Sequence, residues 1–481
     1  MGNSPDTTVT SIHILDDDSL LNIFYLYRAV MLDRDGGDDD HRARWEPWVR
    51  ERWWYTLAHV CQRWRNLILG SASYLGVCLV CTIGTPVADM LAQSPTHLPL
   101  IIDYVSKDDI TAEDEEALVL ALEQRDRVRR IRLLVSYLDL QKFAIAINEE
   151  YPILEHLIFV PPNENTSTVL VLHETLQAPH LRHLLLSNFV LPIGSRLLTT
   201  AVGLVTLYLY LRHPSAYFPP NTLLQWLSFM PQLETLAISF LFPIPYRDVE
   251  GQPIHMPNMT HITLPNLRWF AFSGGVSSYF LEAVVRQITA PRLEKFQIGF
   301  IHQLTYSIPR VPQFLSTTEN LRFDSARFQF GWERVYVQVY LREEAKTYAL
   351  SLDVDFSHLN WQVSSVAQIF NTLNQILSPV EHLTLEHKVQ RQSSQEHNEV
   401  DRTEWHKLLR SFNNVRTLSV DDGLVKELAR CLQLDDGEPS LELLPELQEL
   451  RYFGSGDTGE AFTSFVQTRQ NAGRPVTLIR R

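Results

Sequence analysis

Apolar residues in this chain return in one frame: an apolar or Thr residue, then apolar residues three and five positions later. Pro231-Gln232-Leu233-Glu234-Thr235-Leu236-Ala237-Ile238 shows it, and the same frame starts at Val128, Leu154, Leu181, Leu204, Leu233, Leu267, Leu293, Thr318, Thr347, Val380, Val415 and Leu447. The last two apolar positions are two apart, so in an extended chain both side chains leave one face and bury together. A Pro often stands two residues ahead of the frame, as at Pro152, Pro179, Pro231, Pro265, Pro291 and Pro445, and its fixed φ supplies a bend into the strand. Between frames the period changes to that of helices, in 221–230, 277–288, 363–377, 402–412 and 423–434. One short strand plus one helix cannot bury its own apolar face, so the units must stack on one another.

Successive starts lie 23 to 35 residues apart, overlapping and exceeding the 20–29 residue period of leucine-rich repeats. The units lack the Asn that regular repeats of that kind carry after the strand. The predicted fold is therefore α/β, a degenerate leucine-rich-repeat-like β/α solenoid over residues 77–481.

The first 76 residues have a different pattern. After a polar lead at 1–11, Asp16-Asp17-Asp18-Ser19 offers capping side chains and negative charge to a helix start, and Leu20, Phe24, Tyr27 and Met31 follow at helical spacing. A loop is predicted at about 33–50. A second helical stripe comprises Leu57, Val60, Cys61, Trp64 and Ile68. Thr111, with Asp114 three residues on, predicts a capped helix running to about Gln124.

Charge and candidate chemistry narrow the function. The formal charge is −14, from 56 acidic against 42 basic residues, so the long-range field repels nucleic acid and anionic membranes. No apolar run is long enough to cross a bilayer and the N-terminus lacks a basic leader, so the chain is expected to be cytoplasmic or nuclear. Cys78-Leu79-Val80-Cys81 has no second Cys pair, and apolar neighbours make it a strand with buried thiols rather than a metal or redox site. Gly454-Ser455-Gly456-Asp457-Thr458-Gly459 lacks the βα unit and the later acidic residue that a dinucleotide site needs. His180 with His183, and His382 with His387, do not form H-E-x-x-H, and as outward strand residues His183 and His382 are expected to be exposed or edge-satisfied imidazoles. Neither G-x-S-x-G nor a P-loop is present. The expectation is a binding protein, not an enzyme, with no cofactor or metal.

Ile12-x-x-Leu15, Leu20-Leu21-x-Ile23-Phe24 and Leu57-x-x-Val60-Cys61-x-x-Trp64-Arg65 together resemble an F-box. Asp16 stands where that family usually has Pro, and the 33–50 loop is an insertion. With Leu191–Ser195 and the tail Asn471–Thr477, the chain as a whole is similar to the F-box proteins of mushroom-forming fungi. The resemblance implies a substrate-recognition adaptor of an SCF-type cullin–RING ubiquitin ligase, whose box docks on a Skp1-like protein, and through it a cullin, while the repeats bind an unknown target protein. It assigns the docking module to Leu15, Leu20, Leu21, Phe24, Val60 and Trp64. The alternative is a repeat scaffold with no ligase role, whose helical module is only a cap.

Residues beside the two buried strand positions are predicted to form parallel rows on one outward face. On that basis the target-binding face is expected to include Tyr208, Tyr210 and Trp269, followed by the carboxylates Asp353, Glu386 and Asp421.

Overall fold

The computed structural model describes residues 14–32, 48–162, 169–192, 194–242, 261–275, 278–301, 306–318, 320–342, 347–388, 400–433, 443–453 and 461–480. Ile12, most of the inserted loop and the Gly454–Gly459 motif lie outside these residues. The fold is mixed α/β, built on mostly parallel strand pairing. The chain divides into two compact units, the first formed by Met1–Thr166, Leu170–His183 and Ser195–Thr200, the second by Ser167–Val169, Leu184–Gly194 and Ala201–Arg481.

In the first unit the helices Asp17–Leu32, Trp53–Ala58, Gln62–Gly70 and Ala72–Leu75 precede four parallel strands, Leu79–Cys81, Leu100–Val105, Val128–Leu134 and His156–Phe159. The helix Ala112–Leu122 begins where Thr111 accepts a bond from the Asp114 amide, the cap that the sequence predicts. Ile102 pairs with Ile131 and Tyr104 with Leu133, so these side chains share the inward face, all with no exposure. Cys78 and Cys81 are both buried, three residues apart and therefore on opposite faces of extended chain. Burial pushes the Cys81 thiol up to about 12, which keeps it protonated.

The second unit repeats the strand-then-helix pattern. Thr206–Leu211, Thr235–Phe240, Trp269–Gly274 and Lys295–Phe300 pair parallel and in chain order. Leu207, Leu236, Phe270 and Phe296 stand in one inward row, and Leu209, Ile238, Phe272 and Ile298 in the next, all buried. Burying such side chains stabilises by about 1.5–3 kcal/mol each, which makes this layered row the main source of cohesion.

Chain order then breaks. The next strand beside Lys295–Phe300 is Tyr348–Asp355, parallel to it; Arg334–Tyr340 follows, antiparallel, and then Ser325–Phe330. His382–His387 pairs parallel with Ser325–Phe330, and Thr417–Val420, Glu449–Tyr452 and Thr477–Arg480 continue in order. This three-strand meander corrects one sequence expectation. The frame at Thr318 places Leu321 and Phe323 in a strand, but that stretch is irregular although Phe323 is buried, and the paired strand that follows buries Ala326, Phe328 and Phe330. The other eleven frames each place their two apolar residues in or at a paired strand.

Candidate protein-interaction surfaces

The first helix starts where the Asp16 carboxylate accepts a bond from the Ser19 amide at 2.6 Å. Leu20 and Phe24 are fully buried, and the Phe24 ring meets Trp64 edge-on at 4.9 Å between centroids. Arg63 donates to the Leu15 carbonyl at 2.7 Å and pairs with Asp17 at 2.6 Å, tying the third helix of the module back to the start of the first. Leu15, Leu21 and Trp64 are half-buried, so of the six residues assigned to docking, Leu20 and Phe24 act by packing. Val60 is 57% exposed in the turn before Gln62–Gly70.

The first helix carries a second apolar stripe, of which the sequence reading notes only Ile23. Ile23, Leu26 and Val30 recur at offsets of three and four, and all are exposed, Leu26 at 63%. Their signal was present as an apolar set beside the buried one, which made the helix apolar around more of its circumference than a one-sided core helix needs.

A different part of the module lies against the first unit's strands. The 3-10 turn Trp48–Arg52 crosses the outward face, where the Trp48 amide donates to Asp103 Oδ2 at 2.8 Å. Arg132 grips the same carboxylate with two bonds, of 2.7 and 2.6 Å, and neither side chain is exposed beyond 1%. The Arg132 guanidinium lies 4.9 Å from the centre of the Trp48 ring, and Trp48 also packs on the cluster of Cys78, Val80 and Ile101. Glu51 pairs with Arg130 at 2.9 Å, Arg52 donates to the Val80 carbonyl at 2.9 Å, and Trp54 Nε1 donates to the Cys78 carbonyl at 3.0 Å. His156 meets the Trp48 edge and stacks on His183 at 4.3 Å. Burial, the neighbouring His183 and nearby arginines drive its pKa down to about 2, so the ring stays neutral.

In the second unit, register decides which outward residues are neighbours. Tyr210, Ser239, Ser273, Gly299, Asp353, Tyr336, Gln329 and Glu386 fall in one row across adjacent strands. Tyr208 and Trp269 lie in other rows, and they do not present free aromatic surface: Tyr208 is 1% exposed and Trp269 9%. The Tyr208 ring stacks on Tyr210 at 6.3 Å and meets Trp269 edge-on at 5.9 Å. The residues between them are small, with Ala237 and Ala271 level with Tyr208, so the large rings close over the gap instead of standing out. Gly299 leaves room that Ser273 fills, since a Cβ there would lie 2.7 Å from the Ser273 Cβ.

The carboxylates fare differently. Asp353 lies 3.6 Å from Arg334, and burial raises its pKa to about 6 despite that arginine. Glu386 accepts from Gln329 at 2.9 Å and pairs with Arg327 at 3.3 Å. Asp421 caps the helix Asp422–Leu432 by accepting from the Asp422 amide at 3.0 Å. Glu386 and Asp421 line one cavity of about 230 Å³ with Thr384, Lys388 and Phe453. Sequence reasoning missed Tyr336 and Trp332, because their hairpin contains no repeat frame, and Trp361, because the helix predicted over 363–377 starts at Leu359 and so takes in this residue; all three are exposed. Among the described residues, no helix is long and apolar enough to cross a membrane. Comparison of the chain with protein-family models and with curated proteins finds no match.

Proposed function

We propose that the chain is a substrate-recognition adaptor of an SCF-type ubiquitin ligase, with an F-box-like module on residues 12–76 that docks a Skp1-like protein and a degenerate leucine-rich-repeat solenoid that binds the target. The observation that carries this reading is the exposed stripe Ile23, Leu26 and Val30 on a helix whose adjacent face is already packed through Leu20, Phe24 and Trp64. A helix serving only its own core has no use for a second apolar stripe, whereas a docking helix does. On this reading Leu15, Leu21 and Val60 extend the docking surface, and Leu20, Phe24 and Trp64 hold its shape. The role is binding, with ubiquitin chemistry left to the rest of the ligase and no cofactor or metal required.

A second reading is favoured by the Trp48–Trp54 segment, which ties the module to the first strands and suits a scaffold whose N-terminal helices act as a cap. The two readings separate on substitutions that leave the Trp48 contacts alone. Leu26→Asp with Val30→Asp in the full chain should abolish co-purification with a recombinant Skp1-like protein while leaving the circular dichroism spectrum and melting temperature unchanged. Undiminished recovery of the Skp1-like protein, or no binding by the unmodified chain, would leave the scaffold reading.

A further inference from the structure

The strand reversal in the second unit gathers exposed aromatic rings and carboxylates at one edge. Ser325–Phe330, Tyr348–Asp355, His382–His387, Thr417–Val420 and Glu449–Tyr452 all point the same way, so the segments that follow them share the edge formed by their carboxyl ends. Trp332 sits in the hairpin turn after the first of these strands and is 54% exposed. Trp361, in the helix after the second, is 53% exposed and its ring lies 6.4 Å from Phe356. Tyr336 and Phe453 are exposed at the same edge.

The backbone that carries these rings is held in place. The Gln362 side chain is buried beneath them, and its amide nitrogen donates to the Gly331 carbonyl at 2.8 Å and to the Phe356 carbonyl at 2.6 Å. One side chain thus fixes the turn carrying Trp332 to the segment leading into Trp361. A backbone fixed in this way has less to order when a partner covers the two indoles.

Carboxylates outnumber bases at this edge. Asp353, Asp355, Glu386 and Asp421 lie at the ends of these strands, with Glu333 in the hairpin turn and Asp422 opening the next helix, against Arg327, Arg334 and Lys388. That is six carboxylates to three bases. Arg334 shows how a cation is received here: its guanidinium lies 5.8 Å from the Tyr336 ring centre and 3.6 Å from both Asp353 and Asp355. Ring face and carboxylate together favour a guanidinium over any anion.

We infer that this edge is where the target is gripped, and that the target presents an extended basic segment, with arginines set against the carboxylates and apolar side chains against Trp332 and Trp361. The inference refines the target-binding half of the proposed function and places the contact away from Tyr208 and Trp269.

Three fluorescein-labelled dodecapeptides test it with the full chain. They share alternating Leu and Phe positions and differ only at four intervening sites, filled by Arg, Glu or Gln. Fluorescence anisotropy should show the Arg peptide binding about tenfold or more tighter than the other two, and weakening as salt rises. Trp332→Ala combined with Trp361→Ala should weaken the Arg peptide by about tenfold, and Asp353→Asn with Glu386→Gln should flatten its salt dependence. Equal affinity for the Glu or Gln peptide, or no saturable binding by any of the three, would overturn the inference using the unmodified chain alone. Unchanged binding by the folded double-Trp variant would overturn it as well. Skp1-like recovery by the same variants reports separately on the adaptor reading, since none of these substitutions touches the helical module.

Discussion

Asp103 and Asp353 both stand at outward positions of strands, one in each unit, and they have opposite surroundings. Asp103 is buried and saturated: two bonds from Arg132 and one from the Trp48 amide leave it no need of water. Asp353 keeps part of its surface wet, lies 3.6 Å from its nearest cation, and has one oxygen, Oδ1, buried with no hydrogen-bond partner. The same sheet position has thus been closed in the first unit, where a segment of the chain lies over it, and left open in the second. A carboxylate already satisfied by its own chain serves stability, whereas one held in partial discomfort has something to gain from a visitor.

That contrast can be broken by substitution. Asp103→Asn should be the costliest change, lowering the stability of the full chain by about 3–5 kcal/mol in urea unfolding, because it leaves Arg132 buried without its counter-charge. A loss under about 1 kcal/mol would show that the closed face contributes nothing special. Next, Leu236→Ala should cost about 2–5 kcal/mol and Thr235→Ala under about 0.5 kcal/mol, since Leu236 is fully buried and Thr235 is half-exposed. Similar values for both would undo the inward and outward assignment on which the comparison of faces depends.

Acid should separate the two faces in opposite directions. The folded pKa of His156 is driven down to about 2, so between its ordinary value of 6.5 and that figure the unfolded chain takes up a proton that the folded chain refuses. Stability contributed by the neutral ring is full above pH 6.5 and is lost progressively below it, by about 1–2 kcal/mol at pH 5. His156→Phe should remove that slope, and an unchanged slope would assign it to other groups. For Asp353 the folded pKa is raised from 3.8 to about 6, so the folded chain binds the proton more tightly and stability falls as pH rises through that window. Solvent that still reaches the carboxylate screens much of that shift, so Asp353→Asn should match the unmodified chain near pH 4 and exceed it by about 1 kcal/mol at pH 7.5, the smallest effect of the four. A destabilised Asn variant at pH 7.5 would mean that the Arg334 contact outweighs burial.

Much of this could be read from the chain alone, for a physical reason. A two-residue spacing of apolar side chains is a local property, and it located Leu236 with Ile238 and Leu383 with Leu385 correctly because strand burial follows from it directly. The cap at Thr111 was equally local. Pairing partners are not local. Leu321 and Phe323 carry the frame without a strand, since Ser325–Phe330 is the segment that the reversed meander needs. The same limit explains the aromatic residues: Tyr208 and Trp269 do point outward from their strands, but nothing in their own sequence says that small neighbours two strands apart let them close on each other. Trp332 and Trp361 were illegible for the converse reason, as their exposure depends on a turn and a helix start joined through Gln362.

The meander also has a mechanical meaning. Where strands lie side by side in chain order, tension on the C-terminal end can strip them singly, as a zipper opens, and Thr477–Arg480, Glu449–Tyr452, Thr417–Val420 and His382–His387 are arranged for that. The next strand the tension reaches along the chain is Tyr348–Asp355, which is not at the newly bared margin but two strands inside it, flanked by Lys295–Phe300 and Arg334–Tyr340. Unravelling must stop there until several ladders shear together. A threading or pulling machine that started at the C-terminal end would meet a soft region of four strands and then a ratchet.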